Sequence, residues 1–382
     1  MSERRHAYLL AAATTPFGRH EGCSALDLMA DAANGALVQS GLHRADIDGV
    51  LCGYATTYPH LMLATLLSEK LGIDPEYAHG MQMGGATGAA MVMLARELVR
   101  SGRCRRLLVV AGENRLTGQA VDASIQTLAQ VGEPETEVPN GASVPAYYAL
   151  LASQYMHRTG TRRVDLAEFA VLMRRHAARH AHAHLTDVVS VEQVMASRPI
   201  ATPLHLLDCC PISDGAVALV ISADDGPVRI SGAGQAHRHQ HLSALRDILD
   251  TGAARAWQRA RTDAGIEAGQ IDYLAIYDSF TITLAMLLEE LGFAPRGGAA
   301  DRVRRGDFNA DGALPLNTHG GLLSFGHSGV AGGMAHIAEA WTQLAGRATS
   351  RQAGPRRCAL VHADGGVLSA HVSLVLQTED AR

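Results

Sequence analysis

Residues 32–53 read Ala-Ala-Asn-Gly-Ala-Leu-Val-Gln-Ser-Gly-Leu-His-Arg-Ala-Asp-Ile-Asp-Gly-Val-Leu-Cys-Gly, and residues 256–277 read Ala-Trp-Gln-Arg-Ala-Arg-Thr-Asp-Ala-Gly-Ile-Glu-Ala-Gly-Gln-Ile-Asp-Tyr-Leu-Ala-Ile-Tyr. Laid side by side, Ala32, Ala36, Gly41, Ile47 and Asp48 meet Ala256, Ala260, Gly265, Ile271 and Asp272. Each stretch spells one unit: a helix, a glycine stop, a short loop, Ile-Asp, then a strand. A second echo follows each. Gly85-Ala86-Thr87-Gly88 and Gly329-Val330-Ala331-Gly332 both open apolar helical runs, and the strand-like run Leu107–Gly112 is answered by Leu360–Gly366. Two similar halves in one order imply an internal duplication. Each half alone leaves one sheet face open, so the halves should pack together around shared central helices.

The remaining pattern is α/β. His6–Ala13, Ile47–Gly53 and Arg106–Gly112 read as strands; Ala25–Ser40, His60–Leu71 and Met91–Ser101 read as helices. The halves are placed at residues 1–225 and 226–382, with the polar run His237–His241 loosely marking the second. Residues 115–205 are rich in helix formers and read as an insertion that could cover a substrate, with a polar patch at Val131–Asn140.

Composition narrows the function. A net charge of −5, without a basic block beside stacking aromatics, argues against nucleic acid. No apolar run reaches the ~18 residues of a membrane helix, and the short run Ala7–Ala13 is no leader, so a cytoplasmic protein is expected. The six cysteines are dispersed without a C-x-x-C pair, which indicates neither a zinc site nor a disulfide framework. His176, His180 and His184 fall at i, i+4, i+8, a spacing that can bind a metal. Interleaved with Arg174, Arg175 and Arg179, they read instead as a solvated face or a rim for phosphate. No metal is expected. Asp208–Ala216 reads as a turn between the insertion and a strand, with Cys209 and Cys210 structural.

The segment Met81-Gln82-Met83-Gly84-Gly85-Ala86-Thr87-Gly88 has the composition of a nucleophile elbow, a tight turn that presents one side chain at a helix N-terminus. Yet Gly84, Gly85 and Ala86 carry no nucleophilic atom, and Thr87 is a poor one without a base. Two other segments carry polar groups in glycine-rich or strand-end settings: Tyr277-Asp278-Ser279-Phe280 and Asn317-Thr318-His319-Gly320-Gly321-Leu322-Leu323-Ser324-Phe325-Gly326-His327-Ser328.

With the duplicated halves, these segments and Asp208-Cys209-Cys210-Pro211-Ile212-Ser213-Asp214-Gly215-Ala216, the whole chain resembles the thiolase superfamily, and within it the sterol-carrier-type thiolases. The most specific element is the Gly-Gly-x-Leu-Ser-x-Gly-His stretch, similar to the loop that holds the family's catalytic histidine. The resemblance implies a five-layered α-β-α-β-α fold, usually a dimer, acting on acyl-coenzyme A thioesters. It places the family's reactive cysteine at Gly85, its histidine at His327 and the first residue of its His-Asp-Cys-Phe motif at Tyr277. The usual Gly-His-Pro is Gly-His-Ser here, and the last catalytic loop falls on His362-Ala363-Asp364-Gly365-Gly366 without a cysteine.

Steroid side-chain aldolases of this superfamily also lack the cysteine, carry tyrosine in the matching motif and cleave β-hydroxyacyl thioesters by retro-aldol chemistry. In their loop a second tyrosine stands where this chain has His327. The expectation is therefore carbon–carbon bond cleavage or formation without a covalent acyl-cysteine, catalysed by Tyr277 and His327. Gly85, Asn317, His319, Asp278, His362 and Gly366 are the candidates for holding an oxyanion or supporting the site, although Asp278 reads more simply as the cap of the helix after it. Gly84, Ser324, Gly326 and Ser328 are the candidate substrate contacts. Acyl transfer or Claisen chemistry through another nucleophile, and an inert acyl-CoA-binding subunit, are the rivals. The coenzyme A thioester enters as substrate, with no covalently bound cofactor. The resemblance further implies a homodimer and a separate small zinc-ribbon/OB-fold partner.

Overall fold

The computed structural model describes residues 5–378. Eleven strands are present among them: β1 (Tyr8–Thr14), β2 (Gly49–Gly53), β3 (Tyr77–Met81), β4 (Arg106–Asn114), the short pair β5 (Pro199–Ala201) and β6 (Leu204–His205), β7 (Asp214–Ser222), β8 (Val228–His237), β9 (Tyr273–Ile276), β10 (Cys358–Gly365) and β11 (Ala370–Gln377). The helices are α1 (Ala25–Ser40), α2 (Leu63–Leu71), α3 (Thr87–Arg100), α4 (Val121–Ala129), α5 (Val144–Thr159), α6 (Arg163–Ala177), α7 (Val191–Ala196), α8 (Ala253–Ala264), α9 (Thr281–Glu290), α10 (Ala299–Arg304), α11 (Gly321–Ser324) and α12 (Val330–Leu344).

Nine strands run in the order β3-β2-β4-β7-β1-β8-β11-β10-β9. The duplication is visible in that order. Reading outward from the centre, β1-β7-β4-β2 in one half is matched by β8-β11-β10-β9 in the other. Within the sheet, β1 of one half pairs with β8 of the other at Tyr8↔Arg229 and Leu9↔Val228. Where the first half adds β3, the second places Leu316 beside Leu274 as a single parallel bridge. β8 ends at His237, so His237–His241 leads out of that strand.

Strand alternation builds the layers. In β4, Leu107, Val109 and Ala111 face the central core with α3 and α12. Leu108 and Val110 face the outer core with α1 and α2. In β9, Tyr273 and Ala275 point to the centre, while Leu274 and Ile276 point to the outer core that also holds α8, α9 and parts of α5 and α6. The succession is outer helices, first half-sheet, α3 and α12, second half-sheet, outer helices: five layers. The helices that echo each other in sequence, α3 and α12, are the pair in the middle.

Local signals account for the boundaries. Ser24 caps α1, accepting from Asp27 N while Asp27 accepts from Ser24 N. Gly41 and Gly265 end α1 and α8 in the left-handed conformation, at φ 70° and 68°. The insertion between β4 and β7 differs from the expectation at one point. His176, His180 and His184 do not share a helical face, because α6 ends at Ala177. His176 is buried in the outer core, and the chain beyond it crosses to pair His184 N with Phe325 O and Leu185 N with Ser324 O, each at 3.0 Å. The insertion therefore braces the loop that carries His327.

Candidate active site

The turn between β3 and α3 has the elbow geometry. Gly84 sits at φ 55°, a conformation that disfavours any Cβ. Thr87 pins the turn from inside the helix: its hydroxyl donates to Gly84 O at 2.6 Å and accepts from Met83 N at 2.8 Å. The position after Gly84 is where a side chain would be displayed. A Cβ built on Gly85 would lie 2.5 Å from Tyr277 Cζ, and closer still to the Tyr277 hydroxyl oxygen and the Asp364 carbonyl oxygen. The phenol of Tyr277 occupies the volume that the elbow reserves for its nucleophile.

Tyr277 follows β9 and is 5 % exposed. Its backbone is fixed twice over. Its own N donates to His362 O at 2.9 Å. Asn317, held at φ 45°, brackets the preceding peptide, accepting from Ile276 N at 2.8 Å and donating to Ile276 O at 2.7 Å. The hydroxyl lies 3.1 Å from His327 Nε2. His327 is half-buried and held by main-chain bonds, its N to Pro211 O and its O from Ser213 N, both at 3.1 Å. Cys210 N donates to Ser279 O at 3.1 Å. The segment from Cys209 to Ser213 is thus more than a turn, since it fastens the loops that carry Tyr277 and His327.

Burial pushes the Tyr277 hydroxyl well above its usual range, with Asp364 and Cys210 adding to the effect. Burial, seconded by the Arg115 charge, lowers His327 to about 4. Both directions favour an uncharged pair at neutral pH. The neutral imidazole accepts the Tyr277 proton at Nε2 and carries its own proton on Nδ1, a tautomer assigned from this bond.

The other expected residues are sorted by their partners. Gly84 and Gly366 face one another, with Gly366 N 3.0 Å from a Cβ built on Gly84, so the two glycine loops abut beside Tyr277. Asn317 is committed to Ile276 through both its side-chain oxygen and its side-chain nitrogen. Asp278 does not cap α9, whose N-cap is Phe280. Its carboxylate accepts from Leu322 N at 2.7 Å and Leu323 N at 3.4 Å, capping α11, and bonds His336 Nε2 at 3.1 Å. His319 is fully buried beside His336 and Phe325 with both ring nitrogens unpartnered. His362 is taken up by Ser373 Oγ at 2.8 Å and His371 Nδ1 at 3.2 Å. Ser328 turns inward, its hydroxyl 2.7 Å from Gly215 O and 3.0 Å from Glu113 O. Ser324 is 1 % exposed, and Gly326 packs against Ser213. These loop residues are packed inward around the segment that carries His327. Beside Tyr277 lie Tyr148 of α5, which stands outside the expected set, and the Asp364 carboxyl of β10, a weak candidate with His362 from the sequence; the two are 3.1 Å apart. Tyr148 reads in sequence as one more apolar-face residue of its helix, and nothing in its spacing marks it.

Two family models cover almost the entire chain. The thiolase N-terminal domain matches residues 7–225 and the thiolase C-terminal domain-like model matches residues 234–378. The chain belongs to the thiolase family. Among similar thiolase-family proteins, the 17-hydroxy-3-oxo-4-pregnene-20-carboxyl-CoA lyase of Mycobacterium tuberculosis is 31 % identical, over 94 % of this chain and 97 % of that protein. The steroid side-chain-cleaving aldolase of Thermomonospora curvata is 30 % identical, over 92 % and 93 %. An acetyl-CoA acetyltransferase of Methanothermobacter thermautotrophicus is also 30 % identical, over 96 % and 99 %. In three dimensions, the solved Ltp2-ChsH2(DUF35) aldolase superposes with a TM-score of 0.84 at 30 % identity, covering 98 % of each chain.

Five of the six thiols offer no substitute for the missing nucleophile at the elbow. Burial pushes Cys52, Cys209 and Cys358 up to about 12, Cys104 to about 11, and Cys210 well above the usual thiol range. Thiols so shifted hold no useful thiolate at neutral pH. Among the described residues, no group of three or more His, Cys, Asp or Glu is placed to hold a metal ion, and no helix is long and apolar enough to cross a membrane.

Proposed function

We propose that this thiolase-family protein is an aldolase of β-hydroxyacyl-coenzyme A thioesters, in which Tyr277 and His327 move the proton and no acyl-enzyme forms. One observation carries the reading: the Tyr277 hydroxyl fills the space of the absent nucleophile and is bonded to His327 Nε2 at 3.1 Å. The names of the lyase and aldolase relatives agree with it.

The chemistry balances on that pair. The phenolic oxygen accepts the β-hydroxyl proton as its own proton passes to His327 Nε2. The Cα–Cβ electron pair moves toward the thioester, the Cβ–O bond becomes a carbonyl, and the thioester becomes an enolate. Tyr277 then delivers its proton to Cα, and His327 returns the proton it holds to the phenolic oxygen. The substrate's hydroxyl hydrogen ends on Cα, and the protein is unchanged. The enolate oxygen needs donors; backbone N–H groups of the abutting glycine loops at Gly85 and Gly366 fit that role, each such donor contributing ~3–4 kcal/mol.

The test is cleavage of a panel of β-hydroxyacyl-CoA thioesters, read by product analysis and intact protein mass. A carbonyl product plus a shorter acyl-CoA, with no mass added to the protein, is expected. Tyr277→Phe and His327→Ala should each lower kcat by ~10²–10⁴. The acid limb of kcat/KM should fall near pH 4, where His327 becomes charged and stops accepting, and not near 6.5. A trapped acyl-protein would instead favour acyl transfer, the activity in the acetyltransferase relative's name. Thioester binding without turnover would favour a non-catalytic subunit.

A second copy is proposed at β3. That strand ends the sheet, and Ala78, His79 and Gly80 are exposed along its open edge. Sedimentation as a monomer at micromolar concentration would reject this. The two-part name of the similar solved aldolase supports proposing a separate small zinc-ribbon/OB-fold subunit, detectable as raised turnover on its addition. Six unpaired cysteines suit a reducing, cytoplasmic setting.

A further inference from the structure

Tyr148 comes from the insertion, yet its hydroxyl reaches the far side of the site. Its ring is 2 % exposed and stacks on Phe280 at 4.4 Å between centroids. Its oxygen lies 3.1 Å from Asp364 Oδ2 and 3.2 Å from Gly366 O. Asp364 is 1 % exposed, and its Oδ1 makes no hydrogen bond of normal geometry.

The ionisable groups that face Asp364 are Tyr148 of α5, Tyr277 after β9, Glu290 of α9, His362 on its own strand and His371 opposite it on β11. None is a lysine or arginine. The two histidines bond each other, Ser373 and the Leu368 carbonyl in a pattern that neutral rings complete. A buried carboxylate without a cation is costly, so the group keeps its proton. Backbone N–H groups of Gly365 and Leu368 favour the charged form, but burial outweighs them and holds the carboxyl well above the usual range.

Tyr148 has one proton and two acceptors in reach. Both contacts are hydrogen bonds only if one runs inward. Asp364 Oδ2–H then donates to the Tyr148 oxygen, and Tyr148 O–H donates to Gly366 O. We propose that Asp364 and Tyr148 are positioning residues, a proton-bearing relay that fixes the Gly365–Gly366 loop against the Gly84–Gly85 turn and fastens it to the insertion. When Asp364 ionises, Tyr148 turns its proton to the carboxylate and releases Gly366.

The proposal rests on the aldolase reading for its kinetic arm alone. Its first arm needs no substrate: infrared difference spectra of the full-length protein against Asp364→Asn at neutral pH. The band of a protonated carboxylic acid should be present in the unaltered protein and absent from the variant; no such difference would overturn the relay. In the kinetic arm, Tyr148→Phe and Asp364→Leu should lower kcat/KM by roughly 10- to 100-fold, mainly in kcat. Asp364→Asn, whose amide can donate to Tyr148, should restore it to within about threefold. That variant should also lose the alkaline limb that in the unaltered protein follows the disappearance of the infrared band. Unreduced kcat with Tyr148→Phe, or an alkaline limb kept by Asp364→Asn, would overturn the proposal. Failure of the unaltered protein to cleave any thioester would reject the aldolase reading, with the infrared arm still deciding the relay.

Discussion

Gly85 and Tyr277 share one volume, so a side chain cannot be added at Gly85 while the phenol stays in place. A cysteine placed at Gly85 would not recreate a thiolase nucleophile, because its Cβ would run into the Tyr277 ring and hydroxyl. Gly85→Ala asks the same question with the smallest side chain. We expect it to abolish cleavage by displacing the phenol from His327, and to destabilise the fold by about 1–3 kcal/mol, the usual cost of overpacking a filled interior. Tyr277→Ala should remove the phenol's share of the obstruction and leave the Asp364 carbonyl in place. In a double-mutant cycle, Gly85→Ala should then cost less in the Tyr277→Ala background, a coupling of roughly 1–3 kcal/mol. Additive stability losses, measured by chemical denaturation, would show that the two residues do not compete for space.

At the scale of elements, the elbow depends on the helix that follows it. Thr87 is buried, and its one hydroxyl closes the turn through Met83 N and Gly84 O. Thr87→Val keeps the shape and deletes both bonds. Leaving buried partners unmet costs about 1–3 kcal/mol. We expect a loss of that size in unfolding experiments, together with a fall in kcat as the Gly84–Gly85 turn loosens; unchanged stability would mean the turn is held by packing alone. This element was legible in the sequence, because a glycine pair before an apolar helix has few other uses. The duplicated helix-stop-strand units were legible for the same reason: their periodicity and glycine stops are local. What was not legible is non-local. The series His176, His180, His184 has helical spacing, but α6 ends at Ala177 and the chain crosses to the His327 loop, a path set by tertiary pairing. Asp278 stands at the right distance to cap α9 and instead caps α11, 44 residues away in the chain. Tyr148 has the pattern of a packing residue and an environment only the fold supplies.

For the whole molecule, burying so many imidazoles ties stability to pH. Burial lowers His176, His180 and His327 to about 4 and His371 to about 3, and holds His319 and His362 well below their usual range. In the unfolded chain each returns to ~6.5. Between those values the unfolded state binds more protons, so stability falls as pH falls. The contribution of each histidine is fully present above 6.5 and is lost progressively toward its folded value, at up to about 1.4 kcal/mol per pH unit. Four carboxyls act in the opposite sense. Burial raises Asp208, Asp278, Glu289 and Asp364, so the folded state binds their protons first and gains from acid. With His182, His184 and His239, which burial also lowers, nine imidazoles against four carboxyls leave the histidines ahead in the window just below 6.5, since the unfolded chain begins to protonate there all at once. The melting temperature should therefore fall steadily from pH 7 to pH 5, well before ordinary carboxylates titrate. His371→Gln, which removes one proton-linked group, should flatten the slope. A melting temperature that holds or rises over that window would show that the raised carboxyls, Asp364 foremost, govern the acid response of the fold.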